Sequence, residues 1–441
     1  MNLVRYKIGG GETWKAPLGV KRIKAIIQAR TGNHVFAGAG HAGALQFAGA
    51  LCWGYNANGQ LGDNSVTTKS APVTVTGFGS SSFTVVAAGT SDFSMALRLD
   101  GTLYTWGNGA NGRLGSGATT PRSLPVAVSG SVSFLFASGY SAGGNAISSE
   151  GKLYGWGQNS KGEVGDNSTT QRTTPTLANS STDWVKTAGG LNHVIGLRSN
   201  GNLYTWGLND SGQLGDGGLV AKSTPTLVVS DKIFIDCAAA NNTSWALDRD
   251  GNLYGWGINA YGQIGDGTIV DKSTPTLVLG GHKFKKVRAG DNCVAALDRD
   301  GNLYAWGSGS TGALGNGALT DRSTPVSVSG GHIFTDFAVA NYWDNFMVGV
   351  RKDGLLYSWG GNTNGQLGDN SVVQKSTPVA VSGSNIYRML DKFILKEVYI
   401  DVEPNREYQL TLGNAILFGC EAIYYSTTER YNYEITLEYG T

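Results

Sequence analysis

Surplus charge is what this 441-residue chain most lacks, since 34 Lys and Arg stand against 33 Asp and Glu for a formal net charge of +1. A general polyanion binder needs an excess of cations to neutralise phosphates, so nucleic acid is not an expected partner. No apolar run approaches the roughly 20 residues of a membrane-spanning helix, so no membrane insertion is expected. The opening MNLVRYKIGGGETW has no apolar core of the kind a signal peptide carries, which argues against Sec-type export. Cysteine is scarce too. Cys52, Cys237, Cys293 and Cys420 lie far apart, and with the five histidines they make no CxxC pair or zinc spacing. Free thiols, no metal and no cofactor are expected. What abounds is glycine: 66 residues, about twice the usual share, predict a chain rich in tight turns.

Those glycines are periodic. Trp-Gly recurs at Trp53, Trp106, Trp156, Trp206, Trp256, Trp306 and Trp359, at intervals of 50 or 53 residues. A near-copy of NxxGQLGD follows each one, and a proline then falls in a fixed phase at Pro72, Pro125, Pro175, Pro225, Pro275, Pro325 and Pro378. Between proline and the next Trp-Gly, segments such as TPTLVV, FIDCAAA and TSWALD alternate or run apolar for a few positions between turn signals, which is strand patterning. Asp-Gly or Asn-Gly precedes the last strand at Gly101, Gly201, Gly251, Gly301 and Gly354, a strong hairpin signal. Four strands per unit in seven units predict an all-β, seven-bladed propeller, in which each sheet buries both faces against its neighbours. The first unit starts near Val35 with no preceding Pro-strand, and the seventh ends with STPVAVSG at 376–383. That surplus strand is expected to complete the first blade and so clasp the ring.

The unit AGxxHxxAL, Gly turn, WGxNxxGQLG and Pro-strand resembles the regulator-of-chromosome-condensation repeat family over residues 34–383. One departure is plain. The family's histidine position holds His41, Phe93, Gly143, His193, Thr243, Cys293 and Phe346, so two of seven copies keep it. The family's founding member exchanges nucleotide on a small GTPase and binds chromatin, but the fold alone does not carry that activity over.

Composition changes at the ends. Residues 1–33 carry seven bases and one acid, whereas residues 384–441 carry nine acids, five bases and only three glycines. Their alternating segments resemble the strands of β-domains near the ends of phage fibres. The resemblance implies a small β-sandwich split in sequence into residues 1–33 and 384–441, with the propeller at 34–383 inserted between the halves. Insertion at a loop whose ends lie close costs little.

Several motif matches fall in the wrong context. Gly139–Gly143 reads GxSxG, but it occupies the repeat's AGxxH loop, whereas a nucleophile elbow needs a strand-to-helix turn with Asp and His partners. The GxGxxG strings at 107–112 and 307–312 are local versions of GxNxxG. The Asp-x-Asp-Gly-Asn strings at 248–252 and 298–302 lack the distal Glu of a calcium loop and read as hairpin turns. A base stands three positions before every repeat proline, at Lys69, Arg122, Arg172, Lys222, Lys272, Arg322 and Lys375. A residue common to all blades is most simply part of the blade, so pairing with the nearby QLGD aspartates is favoured over a positive ring for an acidic partner. The seven tryptophans are expected to be packing residues.

Function should sit where the repeats disagree. The most variable loop precedes the AL strand and opens on one face in every blade. It supplies a candidate rim of Tyr140, Asn192, Asn241, Asn242, Asp291, Asn292, Tyr342, Trp343 and Asp344. Aromatics flanked by amides and carboxylates suit glycan or protein surfaces. No set of nucleophile, base and oxyanion donor converges, so no catalytic residue is assigned. With the phage-like ends, the reading is a non-enzymatic virion protein of a tail, collar or fibre, made in the host cytoplasm. Its partners would be other virion proteins and host-surface glycan or protein, with homo-oligomerisation as in fibres. The alternative is a cellular regulatory propeller, exchange-factor-like or scaffold. A glycan-processing enzyme would need paired carboxylates, for which Asp291 and Asp344 are the one pair to propose.

Overall fold

The computed structural model describes residues 13–15, 22–29, 35–46, 49–77, 83–88, 92–98, 100–340, 345–383, 393–401, 407–409, 416–418, 421–423 and 436–438. The chain divides into two compact units, Asn33–Met389 and a second formed by Met1–Gly32 with Leu390–Thr441.

The larger unit holds seven four-stranded antiparallel sheets, each made of four consecutive strands. Blade 4 is representative: Trp184–Gly189, His193–Arg198, Leu203–Gly207 and Lys222–Leu227 lie side by side in that order. The innermost strands of successive blades adjoin one another around the ring. The third strand, LYxWG, is buried except for its half-buried tyrosine, and its tryptophan is fully buried. The outermost strand, with its proline, has one flank without a partner. Proline suits that place because it offers no N–H to a ladder.

The expected clasp is absent, for a local reason. Lys375–Ala380 pairs with Leu356–Gly360 of its own blade 7, and blade 1 builds its own outer strand from Lys69–Thr74. Each Pro-strand follows its Trp-Gly strand through one loop, which in blade 7 Asn362 staples shut, so pairing within the blade is the shorter route. In blade 5, Asn259 is the hub: its Nδ2 donates to Asp266 Oδ1 (3.3 Å), Thr268 O (3.1 Å) and Val270 O (3.2 Å), and its Oδ1 accepts the Ile264 N–H (2.9 Å). Asn56, Asn159, Asn209 and Asn362 make the same set of bonds.

Closure comes instead from contacts that recur at every blade junction. All seven tryptophan indoles donate to a backbone carbonyl of the preceding blade at 2.8–3.0 Å, including Trp53 of blade 1 to Gln366 of blade 7. A second ring of bonds runs the other way, from the N–H of the residue after the LG-Asp step to the outer strand of the next blade, ending with Asn370 to Ser70 O at 3.2 Å. The glycine before that step is fixed by the indole. At Gly368 φ is 65°, and a Cβ would lie 2.8 Å from Trp53 Nε1.

The hairpin turns differ from expectation in detail. Only the glycine of Asp-Gly or Asn-Gly adopts positive φ, and in blade 5 the turn runs from Asp248 to Asn252, closed by the Asp248 N–H to Asn252 O.

In the smaller unit, backbone ladders join strands from the two ends of the chain. Arg22–Ala29 lies between Phe393–Asp401 and Thr436–Glu438, antiparallel to both, and Thr13–Lys15 pairs with Glu407–Gln409.

Candidate functional site

Loops between the first and second strands of each blade share a face with the loops between the third and fourth, because these strand ends pair; in blade 4, His193 opposes Gly207. Each inner loop is anchored to its own blade by the N–H that follows Trp-Gly, as Leu208 to Asn192 O (2.8 Å) and Ile258 to Asn242 O (3.0 Å).

Neighbouring loops also touch. Ser141 donates through Oγ to Leu191 O (2.6 Å), the Leu191 N–H donates to Asn241 O (2.8 Å), and Asn241 Nδ2 meets Asn292 Oδ1 at 3.5 Å. Asn241 and Asn292 of the sequence-derived rim are therefore brought into direct contact. Asn192, Asn242 and Asp291 lie half-buried in the same run of loops. Asn241 holds φ at 43°, and the Asn242 Oδ1 is buried without a partner among the described residues. Burial raises the Asp291 carboxyl above its usual range, and Asn292 Nδ2 donates to it at 3.2 Å.

Tyr140 is not a rim residue. It is fully buried, and its hydroxyl lies within bonding distance of Trp156 O (2.8 Å) and Gln158 O (2.6 Å). The reason is Gly143, which stands at the repeat's histidine position. A Cβ there would collide with the Tyr140 ring, so the tyrosine fills the space the histidine leaves. Tyr342, Trp343 and Asp344 lie outside the described residues, which leaves the Asp291–Asp344 pairing without a geometry.

Where histidine is kept it is structural. His41 Nε2 lies 2.9 Å from Ser94 Oγ of the next blade, and that hydroxyl and the Trp106 indole both donate to Gln60 O. His193, Ser244, Gln213 and Trp256 repeat the arrangement. Burial drives both imidazoles towards neutrality, His41 to about 3 and His193 to about 4.

Two charged residues near the rim escaped the sequence reading. Arg113 and Glu163 replace the glutamine of GQLG in blades 2 and 3 and are both buried. Arg113 cannot accept a hydrogen bond as glutamine does; it donates instead to Ala110 O (2.9 Å) and Ser141 O (3.1 Å). Glu163 keeps the glutamine's role by accepting the Lys161 N–H at 2.7 Å, and burial raises its carboxyl. Asp92 is likewise raised by burial, partly offset by Arg113. The deviation at a fixed repeat position was the available signal.

The basic residues before the prolines pair within their own blades in blades 3, 5 and 7. Arg172 grips Asp166 through Nε (2.7 Å) and Nη2 (2.6 Å), Lys272 lies 3.1 Å from Asp266, and Lys375 lies 3.9 Å from Asp369. A separate series links innermost strands, Lys186 with Asp236 and Lys286 with Asp336, with Arg288 Nη1 3.7 Å from Asp236. Ser141 of the GxSxG string sits in the hairpin between Phe134–Tyr140 and Gly143–Ser148, with no helix after it. Among the described residues, no three His, Cys, Asp or Glu side chains group as a metal site, and no helix is long and apolar enough to cross a membrane.

This geometry defines a seven-bladed propeller with a loop-built face. The chain belongs to the RCC1-like domain family, whose pattern matches residues 144–396, more than half of it, while regulator of chromosome condensation (RCC1) repeats match 49–97 and 100–146. It is similar to the Arabidopsis thaliana ultraviolet-B receptor UVR8, 36% identical over 107 residues, which are 24% of each protein. It is also similar to the probable E3 ubiquitin-protein ligase HERC4 of Mus musculus, 34% identical over 99 residues, which are 22% of this chain and 9% of that one. The matched segment thus spans a quarter or less of these relatives. Among solved structures, Prp20p of Saccharomyces cerevisiae superposes with a TM-score of 0.67 at 20% identity, covering 81% of this chain and 88% of that one. Human WBSCR16 superposes at 0.66 and 20% identity, covering 75% and 93%. These two likenesses establish the fold.

The expectation of a virion tail, collar or fibre protein, and of a place in a virus particle, is corrected by these matches. The matched proteins are cellular proteins of plants, animals and yeast. Seven repeats carry far more specific information than the alternating strands of two short terminal segments.

Proposed function

We propose that this protein is a non-enzymatic regulatory propeller of a cell that binds other proteins through the inner-loop face. The contact chain Ser141–Leu191–Asn241–Asn292 carries the reading. It joins loops of four blades into one continuous surface, at the positions where the repeats differ most. Loops on a rigid scaffold are where binding residues concentrate. Family membership supports a protein partner: the yeast relative Prp20p is described with binding properties to Gsp1p and histones, and yeast RCC1 (Prp20) bound to Kap60. We further read the paired terminal strands as one small β-sandwich, split in sequence at about residues 33 and 384 and interrupted by the propeller.

The test is site-specific photo-crosslinking of the full chain in its own cells. A crosslinker at Asn192 should capture a discrete protein, and one at Asn252, in the hairpins of the opposite face, should not. Equal capture from both faces, or from Asn252 alone, would sink the assignment of the face.

A further inference from the structure

The loops between the third and fourth strands present a second set of differences. Two positions before the outer strand's basic residue or its neighbour, each blade has a pair of exposed residues: Thr119-Thr120 in blade 2 and Thr169-Thr170 in blade 3. In blade 4 the pair is Leu219-Val220 and in blade 5 Ile269-Val270, all 61–67% exposed.

These aliphatics are not required by the fold. Blade 3 makes the same turn with threonines, and its backbone is held in the same way, with Thr170 O accepting from Asn159. Val220 O and Val270 O accept from the buried Asn209 and Asn259, and Gly217 and Gly267 bond the next blade's outer strand. The side chains are therefore held out in water by a rigid scaffold. Exposed aliphatics continue at Leu319 in blade 6, Val372 and Val373 in blade 7 and Val66 in blade 1. Large aliphatics kept exposed on neighbouring loops mark an interaction surface, and charge singles out part of it.

Within the loops themselves charge is one-sided, up to Lys222, Lys272 and Arg322, which open the outer strands that follow. Residues 208–221, 258–271 and 308–321 hold Asp210, Asp216, Asp266, Asp271 and Asp321 and no Lys or Arg. Asp266 is paired with Lys272. Asp210, Asp271 and Asp321 are exposed, and none has an ion-pair partner among the described residues. The Asp271 and Asp321 carboxylates accept backbone N–H groups of Asn259 (2.8 Å) and Gly309 (2.9 Å), which fixes them beside the aliphatic tips. In blades 2 and 3 the equivalent loops carry Arg113 and Lys161, so the acidic sector is confined to part of the ring.

We infer that the outer loops of blades 4 to 6 dock a basic, amphipathic protein segment. Its aliphatic side chains would cover Leu219, Val220, Ile269 and Val270, and its Lys or Arg residues would meet Asp210, Asp271 and Asp321. Fixed apolar area supplies affinity, and the aspartates select the sign of the partner's charge. The inference rests on the reading of this protein as a protein-binding propeller and names the chemistry of a partner.

The experiment uses the full chain and a fluorescent synthetic peptide of alternating Lys and Leu at amphipathic helical spacing, read by anisotropy. The Lys/Leu peptide should bind, and its Glu/Leu and Lys/Ser counterparts should bind at least about tenfold more weakly. Both Leu219→Ser/Val220→Ser/Ile269→Ser/Val270→Ser and Asp210→Asn/Asp271→Asn/Asp321→Asn should weaken it by about tenfold or more, with salt mimicking the second variant. The control Val229→Ser/Ile233→Ser/Ile235→Ser removes comparable exposed apolar area from the connection between blades 4 and 5 and the start of blade 5's first strand, and should leave binding unchanged. Circular dichroism verifies that each variant is folded. No binding, equal binding of the Glu/Leu peptide, or equal loss in the control overturns the inference. Capture at Asn192 that persists while the peptide fails would remove this docking site and leave the protein-binding reading intact.

Discussion

Trp53 donates its indole N–H to the carbonyl oxygen of Gln366, 2.8 Å away and 313 residues further along the chain. The same bond joins every other pair of neighbouring blades, so the junction between the first and last blades is chemically equal to the other six. A propeller built from whole blades needs no strand exchange to close when its edges meet as its interior does.

Trp53→Phe should therefore cost as much as Trp306→Phe, whose indole donates to Gln263 O at 2.9 Å. Each removes one hydrogen bond to a buried carbonyl, a loss of about 1–3 kcal/mol. Urea unfolding of the two variants checks this, and a much smaller effect at Trp53 would show that the ring is open there.

Asn167 sits at φ 61° and its N–H bonds Ser223 O of the next blade. Across the seven blades this position is Asn or Gly only. Asn167→Gly should be close to neutral, whereas Asn167→Ala should cost about 1 kcal/mol because alanine resists the left-handed conformation. Thermal unfolding of the pair decides it.

Asn259→Ala should be among the most damaging single substitutions in blade 5. It strands the Ile264 N–H and the carbonyls of Thr268 and Val270, for a loss of about 2–4 kcal/mol. Hydrogen exchange should rise first in residues 259–271. Unchanged exchange there would mean that the loop is held by something other than this hub.

The buried histidines predict a pH dependence. In the unfolded chain His41 and His193 take up protons near 6.5, but in the fold not until about 3 and 4. Their folded values are depressed, so the fold disfavours the charged form and stability falls as pH drops below about 6.5. The slope is about 1.4 kcal/mol per pH unit for each histidine once the unfolded imidazole is charged. The double variant His41→Gln/His193→Gln should flatten urea midpoints between about pH 6.5 and 5, relative to the native chain. A parallel pH profile in the variant would assign the acid sensitivity to other groups.

Much of this was legible in the sequence because repetition acts as an internal control. Trp-Gly, NxxGQLGD and the phased prolines define blade number and strand order, and the Asn and Asp of the motif prove to be its loop staple. The pairing of His41 with Ser94 and of His193 with Ser244 is also written there, since serine follows only where the preceding blade keeps histidine. Closure was not legible. Whether a terminal strand pairs forward or backward depends on loop geometry, which the Asn hub decides. Tyr140 was misplaced because its loop position looks exposed until the missing side chain at Gly143 is taken into account. Arg113 and Glu163 stand inside the repeated GQLG motif, where the sequence alone does not distinguish a buried charge from the glutamine it replaces.

The central claim is a division of labour: residues shared by all blades hold the ring, and residues that differ on the inner-loop face bind. One paired measurement tests it most directly, namely the urea midpoint and the Asn192 crosslink yield for Trp256→Phe, Asn259→Ala, Asn241→Gly and Asp291→Asn. The account predicts that the first two lower stability, and that the last two lower capture while the midpoint stays within about 0.5 kcal/mol of the native protein. Loss of stability without loss of capture in Asn241→Gly and Asp291→Asn would contradict it.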